Sequence, residues 1–194
     1  MRMTEIRVAG FGGQGVILSA LIVGKAASIY ERGFATMTQN FGPEARGSAC
    51  SAQVILSGQP VLYPYVTNPD VLIVMSQDAF TKFAPEVKDG GILLIEEDLV
   101  RITRLPPGTK VYSVPATRLA EELGKKIVLN IVMIGFFAAV TGLIDPEALR
   151  KAVADSVPEA FVKLNLKAFD KGFEYGLNRA PMDSEEHRVS VEAE

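Results

Sequence analysis

The first candidate for chemistry is a glycine-rich turn that follows an apolar run at residues 6–9 and precedes a long helical pattern. A strand that turns directly into a helix leaves the N–H groups of the first helical turn unpaired, at the positive end of the helix dipole. Gly10, Gly12 and Gly15 match the G-x-G-x-x-G pattern in the context that it requires, and glycines let a ligand approach the backbone closely. The turn is therefore predicted to bind a cofactor or phosphate group, and its candidate residues are Gly12, Gly13, Gln14 and Gly15.

Two other interpretations of this turn stay open. Its glycines can serve only to pack the helix against the sheet. Binding of NAD or FAD by the chain alone would need an acidic side chain about 20 residues later, at the end of the second strand, to hold the ribose hydroxyls. That strand ends in Thr38, Gln39 and Asn40, while Glu31 lies in the last turn of the first helix. The sequence therefore disfavours a stand-alone dinucleotide enzyme.

A second candidate is the loop at residues 40–48, which holds two glycines, a proline and one opposed charge pair. In an open α/β sheet, loops of this kind converge on the binding crevice. Arg46 could make bidentate contacts to a phosphate or carboxylate, with Glu44 fixing its guanidinium. The two charges could instead only stabilise a turn. The candidate cofactor-binding residues of this loop are Glu44, Arg46, Gly47 and Ser48.

Composition excludes several function classes. The net charge of −3 and the pI near 5.4 give no basic field for nucleic acid. With one cysteine, Cys50, and one histidine, His187, the chain cannot by itself build a zinc or iron–sulfur site. Cys50 is predicted to be a small buried strand residue and His187 a solvated one. Because no nucleophile–base arrangement is visible, the chain lacks an obvious catalytic machinery of its own.

The elements that must position these residues alternate between strand and helix patterns, and they predict a Rossmann-like three-layer α/β fold. Its sheet is expected to be mixed but mostly parallel, because an inserted β-hairpin at residues 51–57 and 61–63 interrupts the parallel strands. Unbroken apolar runs at 71–75 and 92–95 are typical of parallel strands covered on both faces. The other predicted strands are 6–9, 34–39 and 110–114, and the predicted helices are 16–30, 77–87, 117–123, 127–140, 146–154 and 159–175.

The chain is expected to form a single domain over residues 1–178, with a helical C-terminal part and a mobile acidic tail at 179–194. Residues 1–5 enter the first strand without the apolar segment of a secretory signal, so a cytoplasmic location is expected. The longest apolar stretch, 127–144, reaches only the lower limit of a bilayer span and contains Asn130, and it is interpreted as a buried or interface helix rather than a membrane helix.

Several motifs taken in order resemble the gamma subunit of 2-oxoacid:ferredoxin oxidoreductases, and most closely its 2-oxoglutarate branch. The ordered set is far more specific than any one member, and the resemblance covers about residues 4 to 175. One departure is Ser48, where the family usually has a second glycine. The motifs are residues 10–16, 42–47, 70–73, 76–77, 89–91, 115–117, 120–124 and 130–135.

The resemblance implies a subunit of an enzyme that oxidatively decarboxylates a 2-oxoacid, joins the acyl group to coenzyme A and passes electrons to ferredoxin. Thiamine diphosphate and the iron–sulfur clusters are then held by partner alpha and beta subunits, with a delta subunit left open, and this chain alone holds no cofactor. The isolated chain is expected to be inactive. A stand-alone nucleotide-binding oxidoreductase and a non-catalytic assembly scaffold remain as alternative functions.

Overall fold

A computed structural model describes residues 3–40 and 49–182 of the chain. Six strands form one sheet in the order β2-β3-β1-β4-β5-β6. The pairs β1–β4, β4–β5 and β5–β6 are parallel, whereas β3 runs antiparallel to both β1 and β2. The predicted mixed, mostly parallel sheet is therefore confirmed. The strands are β1 (Thr4–Phe11), β2 (Phe34–Asn40), β3 (Ala49–Ser57), β4 (Val71–Val74), β5 (Ile92–Glu96) and β6 (Lys110–Val114).

Helices cover both faces of this sheet and produce three layers. The described part of the chain has six α-helices, α1 (Val16–Lys25), α2 (Gln77–Phe83), α3 (Ala116–Glu122), α4 (Leu129–Thr141), α5 (Pro146–Ala154) and α6 (Glu159–Gly176), and a π-helical turn at Ala26–Tyr30 continues α1. One core lies between the sheet and α1, α3, α4, α5 and α6, and a smaller core lies between the opposite face and α2. No helix within residues 3–40 and 49–182 is long and apolar enough to cross a bilayer.

The hairpin is formed by different strands from those predicted. Residues 61–63 are not a strand, and β3 pairs instead with the full length of β2, from Phe34 opposite Ser57 to Asn40 opposite Ser51. The apolar residues at 61–63 follow a Gly-Gln turn, a pattern typical of the second strand of a hairpin, but they belong to the connection from β3 to β4. The hairpin β2–β3 therefore inserts between α1 and β4 in the chain and places β3 beside β1.

Helices α4 and α6 touch at their backbones. A Cβ atom added to Gly172 would lie 1.9 Å from the carbonyl oxygen of Val132, and one added to Gly135 would lie 2.0 Å from that of Phe169. Both glycines are thus required by contact between the two helices. The predicted helix at 127–140 is confirmed as α4, whose residues 129–138 are buried.

Two local contacts complete the fold. The N-cap of α2 is Ser76, whose hydroxyl accepts the N–H of Ala79 at 3.3 Å, and Asp78 lies in the first turn of the helix. Within the stretch expected to be a tail, 179–194, the N–H of Met182 donates to the carbonyl oxygen of Val111 in β6 at 2.7 Å. The remaining tail residues, 183–194 with His187, lie outside the described part of the chain.

Candidate functional site

The glycine turn emerges from the carboxyl end of β1 and leads directly into α1. Gly15 is the N-cap of α1 in the left-handed conformation with φ 73°, and no side chain caps the helix start. No acidic residue lies in the first turn of α1, so nothing there competes with an anion for its N–H groups. Gly13 has φ 98° and open space where a Cβ would be. Both Gly12 and Gly13 are exposed. The turn therefore exposes its backbone to the surroundings.

Gln14 has a different role from the rest of the turn. Its side-chain oxygen accepts the N–H of Phe11 at 2.6 Å, and its side-chain nitrogen donates to the carbonyl oxygen of Met75 at 2.8 Å. The amide thus joins the ends of β1 and β4 across the base of the turn. A Cβ on Gly10 would lie 2.6 Å from the Gln14 oxygen, so a side chain there would displace this amide. Both polar atoms of the Gln14 side chain are engaged inside the protein, so this side chain fixes the turn's shape.

Asn130, at the start of α4, contacts the end of the glycine turn and the first turn of α1. It is buried, and its side-chain nitrogen lies 3.4 Å from the carbonyl oxygen of Gly15 and 3.5 Å from the hydroxyl of Ser19. A Cβ on Gly15 would lie 2.4 Å from that nitrogen. Gly15 is therefore required both by its backbone conformation and by the Asn130 amide. Sequence reasoning assigned Asn130 no role at this turn, because its contact partner is 115 residues away.

The second predicted loop lies mostly outside the described residues, which end at Asn40 and resume at Ala49. Glu44, Arg46, Gly47 and Ser48 all belong to that gap. The flanking register is nevertheless informative, since Ala49 is paired directly opposite Phe11, the residue that precedes Gly12. Directly opposite residues in a sheet lie about 5 Å apart. The strand that follows the loop therefore begins beside the glycine turn.

A buried carboxylate at the same end of the sheet was missed by sequence reasoning. Glu96, the last residue of β5, is fully buried, and its two oxygens accept the N–H groups of Thr117 at 2.9 Å and Leu99 at 2.7 Å. It holds the first turn of α3 against the end of β5. The adjacent Glu97 and Asp98 are partly exposed and pair with Arg118 instead. In a run of three acidic residues, the sequence gives no signal for which one is buried.

The described residues offer no metal centre. No three His, Cys, Asp or Glu side chains converge within ranges 3–40 and 49–182. Cys50 is buried in β3, as predicted, and burial raises the pKa of its thiol. A protonated, enclosed thiol is a poor nucleophile and a poor metal ligand.

Comparisons with known proteins fit this geometry. Residues 5–175 match the family described as pyruvate ferredoxin/flavodoxin oxidoreductase. The chain is 44% identical over 172 residues to the 2-oxoglutarate synthase subunit KorC of Methanocaldococcus jannaschii, covering 88% of this chain and 92% of KorC. The crystal structure of the gamma subunit of a keto/oxoacid ferredoxin oxidoreductase from Geobacter sulfurreducens superposes with a TM-score of 0.80 at 43% identity, covering 91% of this chain and 99% of that one.

A third relative carries the same region within a longer chain. The ketoisovalerate oxidoreductase subunit VorA of Methanothermobacter thermautotrophicus is 34% identical over 175 residues, which make up 88% of this chain and 36% of VorA. The chain is therefore similar both to separate subunits and to one part of a longer subunit. Because it shares sequence over nearly its whole length and the fold with such subunits, the chain belongs to the pyruvate ferredoxin/flavodoxin oxidoreductase family, as a subunit of the gamma type.

Proposed function

We propose that this chain is the gamma subunit of a 2-oxoglutarate:ferredoxin oxidoreductase. The enzyme would oxidatively decarboxylate 2-oxoglutarate, join the resulting acyl group to coenzyme A and pass the electrons to ferredoxin. The choice of 2-oxoglutarate rests on the 44% identity to KorC, a 2-oxoglutarate synthase subunit, against 34% to the ketoisovalerate subunit VorA. Cytoplasmic location stays a prediction from the sequence.

The part of this chain in the reaction is to shape a pocket that companion subunits complete. The glycine turn at 12–15 would offer backbone N–H groups to an anionic group of thiamine diphosphate or coenzyme A, and Arg46 would add a guanidinium. The observation that supports a joint role for the glycine turn and Arg46 is the register of β1 and β3, in which Ala49 lies opposite Phe11. That register supports a position for Arg46, Gly47 and Ser48 near the turn, with Glu44 orienting the guanidinium.

The residues present fit an anionic cofactor group but not an iron–sulfur cluster. A cluster needs several thiolates, whereas the whole sequence has one cysteine, and Cys50 is buried in β3. The start of α1 has unpaired N–H groups, no acidic side chain in its first turn and open space over Gly13, which suits a phosphate. We therefore assign the clusters and the main binding sites for thiamine diphosphate to the alpha and beta subunits, and we expect the isolated chain to be inactive.

Arg46→Ala in the assembled complex tests the role of the second loop. Loss of one charge-assisted contact should raise the KM for coenzyme A or for 2-oxoglutarate by roughly 10-fold to 100-fold. The matched control is Arg104→Ala, which removes an exposed arginine from the β5–β6 connection and should leave the kinetics unchanged. If both KM values and kcat are unchanged in the Arg46 variant, Arg46 does not contact a ligand. Weakened subunit assembly with normal kinetics would instead assign Arg46 to a subunit interface.

A further inference from the structure

Strand β2 is the outermost strand of the sheet, and it lacks the usual protection of an open edge. Its seven residues, Phe34–Asn40, contain no charged residue and no proline. Its pairing with β3 proceeds residue by residue without a bulge, and within the described part of the chain β3 is its sole neighbour. Natural proteins protect open edge strands with charges, prolines, bulges or a covering chain, since unpaired N–H and C=O groups invite another strand. β2 has none of the first three.

An uncharged segment follows the same hairpin. The arm, defined as residues 58–69 between β3 and β4, has no charged residue, whereas 22% of the chain is charged. Near its centre Leu62 is 95% exposed, Tyr63 67% and Tyr65 60%. The two tyrosine rings contact each other edge to face, with centroids 5.5 Å apart. Interface centres are enriched in tyrosine and depleted of charge, so the composition of the arm is that of a buried contact surface.

The arm is held at its base by buried polar contacts. Val66 is buried, its N–H donates to the side-chain oxygen of Gln53 at 3.0 Å, and its carbonyl oxygen accepts from the Arg7 guanidinium at 2.8 Å. The same Gln53 oxygen accepts the hydroxyl of Thr38 in β2 at 3.1 Å. A fixed base reduces the entropy lost when the exposed tip is bound.

Two contacts tie the arm to the hairpin that carries β2. At its beginning, the N–H of Gln59 donates to the hydroxyl of Ser57 at 3.0 Å, and Ser57 is paired opposite Phe34. Further along, Val66 and Thr38 share the Gln53 oxygen. The arm and β2 are therefore joined through β3, and neither of them contains a charged residue.

We infer that a companion subunit of the oxidoreductase covers the arm and the outer edge of β2, placing an uncharged apolar surface against Leu62, Tyr63 and Tyr65. This inference rests on the proposed function. In VorA the region similar to this chain is 36% of the sequence, so a domain of this kind is joined there to a further stretch about twice its length. A separate chain has to bind such a partner through its own surface. Three exposed side chains offer roughly 400 Å², about half of what a stable interface needs from each partner, so the arm and the β2 edge act together.

The test compares binding of the full-length chain and its variants to the companion alpha and beta subunits of the same organism. The double variant Leu62→Glu, Tyr65→Glu should weaken binding by about 30-fold or more, because charges enter an apolar contact. The matched control is Phe161→Glu, which changes a residue on α6 that is 52% exposed, and it should change binding less than about 2-fold. Thermal unfolding followed by circular dichroism checks that each variant folds. Hydrogen exchange of the unmodified chain gives an independent readout, since β2 amides should exchange at least about 10-fold more slowly in the complex.

Each result has a separate meaning. If the wild-type chain fails to bind any companion subunit, the proposed function is wrong and this inference falls with it. If the wild-type chain binds but the double variant binds equally well, or β2 exchange is unchanged, the function stands and the inference is overturned. A wild-type chain that forms a dimer in isolation, and that the double variant makes monomeric, would assign the surface to a second copy and also overturn it.

Discussion

Identical Gly→Ala substitutions in two helices of this chain should change stability in opposite directions. Gly24 lies in α1, where an added Cβ would meet its nearest neighbours, Ala35 and Val54, at an ordinary 3.9 Å. Gly172 lies in α6, where an added Cβ would stand 1.9 Å from the carbonyl oxygen of Val132. The gain in helix propensity is the same at both sites, so the difference between them measures the space available.

The expected magnitudes follow from those distances. Gly24→Ala should raise the free energy of unfolding by about 0.5–1 kcal/mol through backbone entropy and propensity. Gly172→Ala needs α4 and α6 to separate by about 1.5 Å to restore van der Waals contact, which should lower the free energy of unfolding by about 3 kcal/mol. For a chain of this length that loss corresponds to a melting temperature roughly 6–12 °C lower.

Urea unfolding followed by circular dichroism on the full-length chain measures both values. Gly135→Ala provides an internal check, because its Cβ would lie 2.0 Å from the carbonyl oxygen of Phe169 in the same helix contact. The double variant Gly135→Ala, Gly172→Ala should lose less than the sum of the single losses, since one separation of the helices relieves both contacts. If Gly172→Ala unfolds within about 0.5 kcal/mol of the wild type, α4 and α6 do not approach as described.

Three further predictions concern the glycine turn and two buried side chains. Gly15→Ala should lower the free energy of unfolding more than Gly13→Ala in denaturant titrations. Both glycines have positive φ, but only at Gly15 would the added Cβ lie 2.4 Å from the Asn130 amide. Equal losses would contradict that contact. Arg7→Ala should lower the free energy of unfolding by about 2 kcal/mol, because the Glu86 carboxylate and the Val66 carbonyl oxygen would lose the guanidinium that binds them. A change within experimental error would contradict these contacts. Cys50 should react with iodoacetamide far more slowly in the folded chain than in urea at pH 8, because burial both encloses the thiol and raises its pKa; equal rates would refute this.

Much of the fold could be predicted because the parallel strands are buried on both faces. Such strands produce unbroken apolar runs, and the predicted strands at 71–75 and 92–95 lie within one residue of β4 and β5. β6 and α5 were predicted with the observed boundaries. The hairpin partner could not be assigned in the same way. Residues 61–63 carry an apolar pattern after a turn, and only long-range pairing shows that β2 takes that place beside β3.

At the candidate site, the glycines could be predicted and the supporting contacts could not. The pattern of Gly10, Gly12 and Gly15 is local and has a local meaning. The contacts of Gln14 with Met75 and of Asn130 with Gly15 span 61 and 115 residues, and no local pattern contains them. The sequence placed Gln14 among the candidate cofactor-binding residues, and in the structure its side-chain amide points inward and holds the strand ends together.

Reconstitution of the complex tests the central claim most directly. The full-length chain should be expressed with the alpha and beta subunits of its own organism, purified as one complex, and assayed for ferredoxin reduction that requires both 2-oxoglutarate and coenzyme A. We predict that activity appears only when this chain is present and that the chain alone shows none. Full activity of the alpha and beta subunits without it, or turnover of a 2-oxoacid by the isolated chain, would contradict the account.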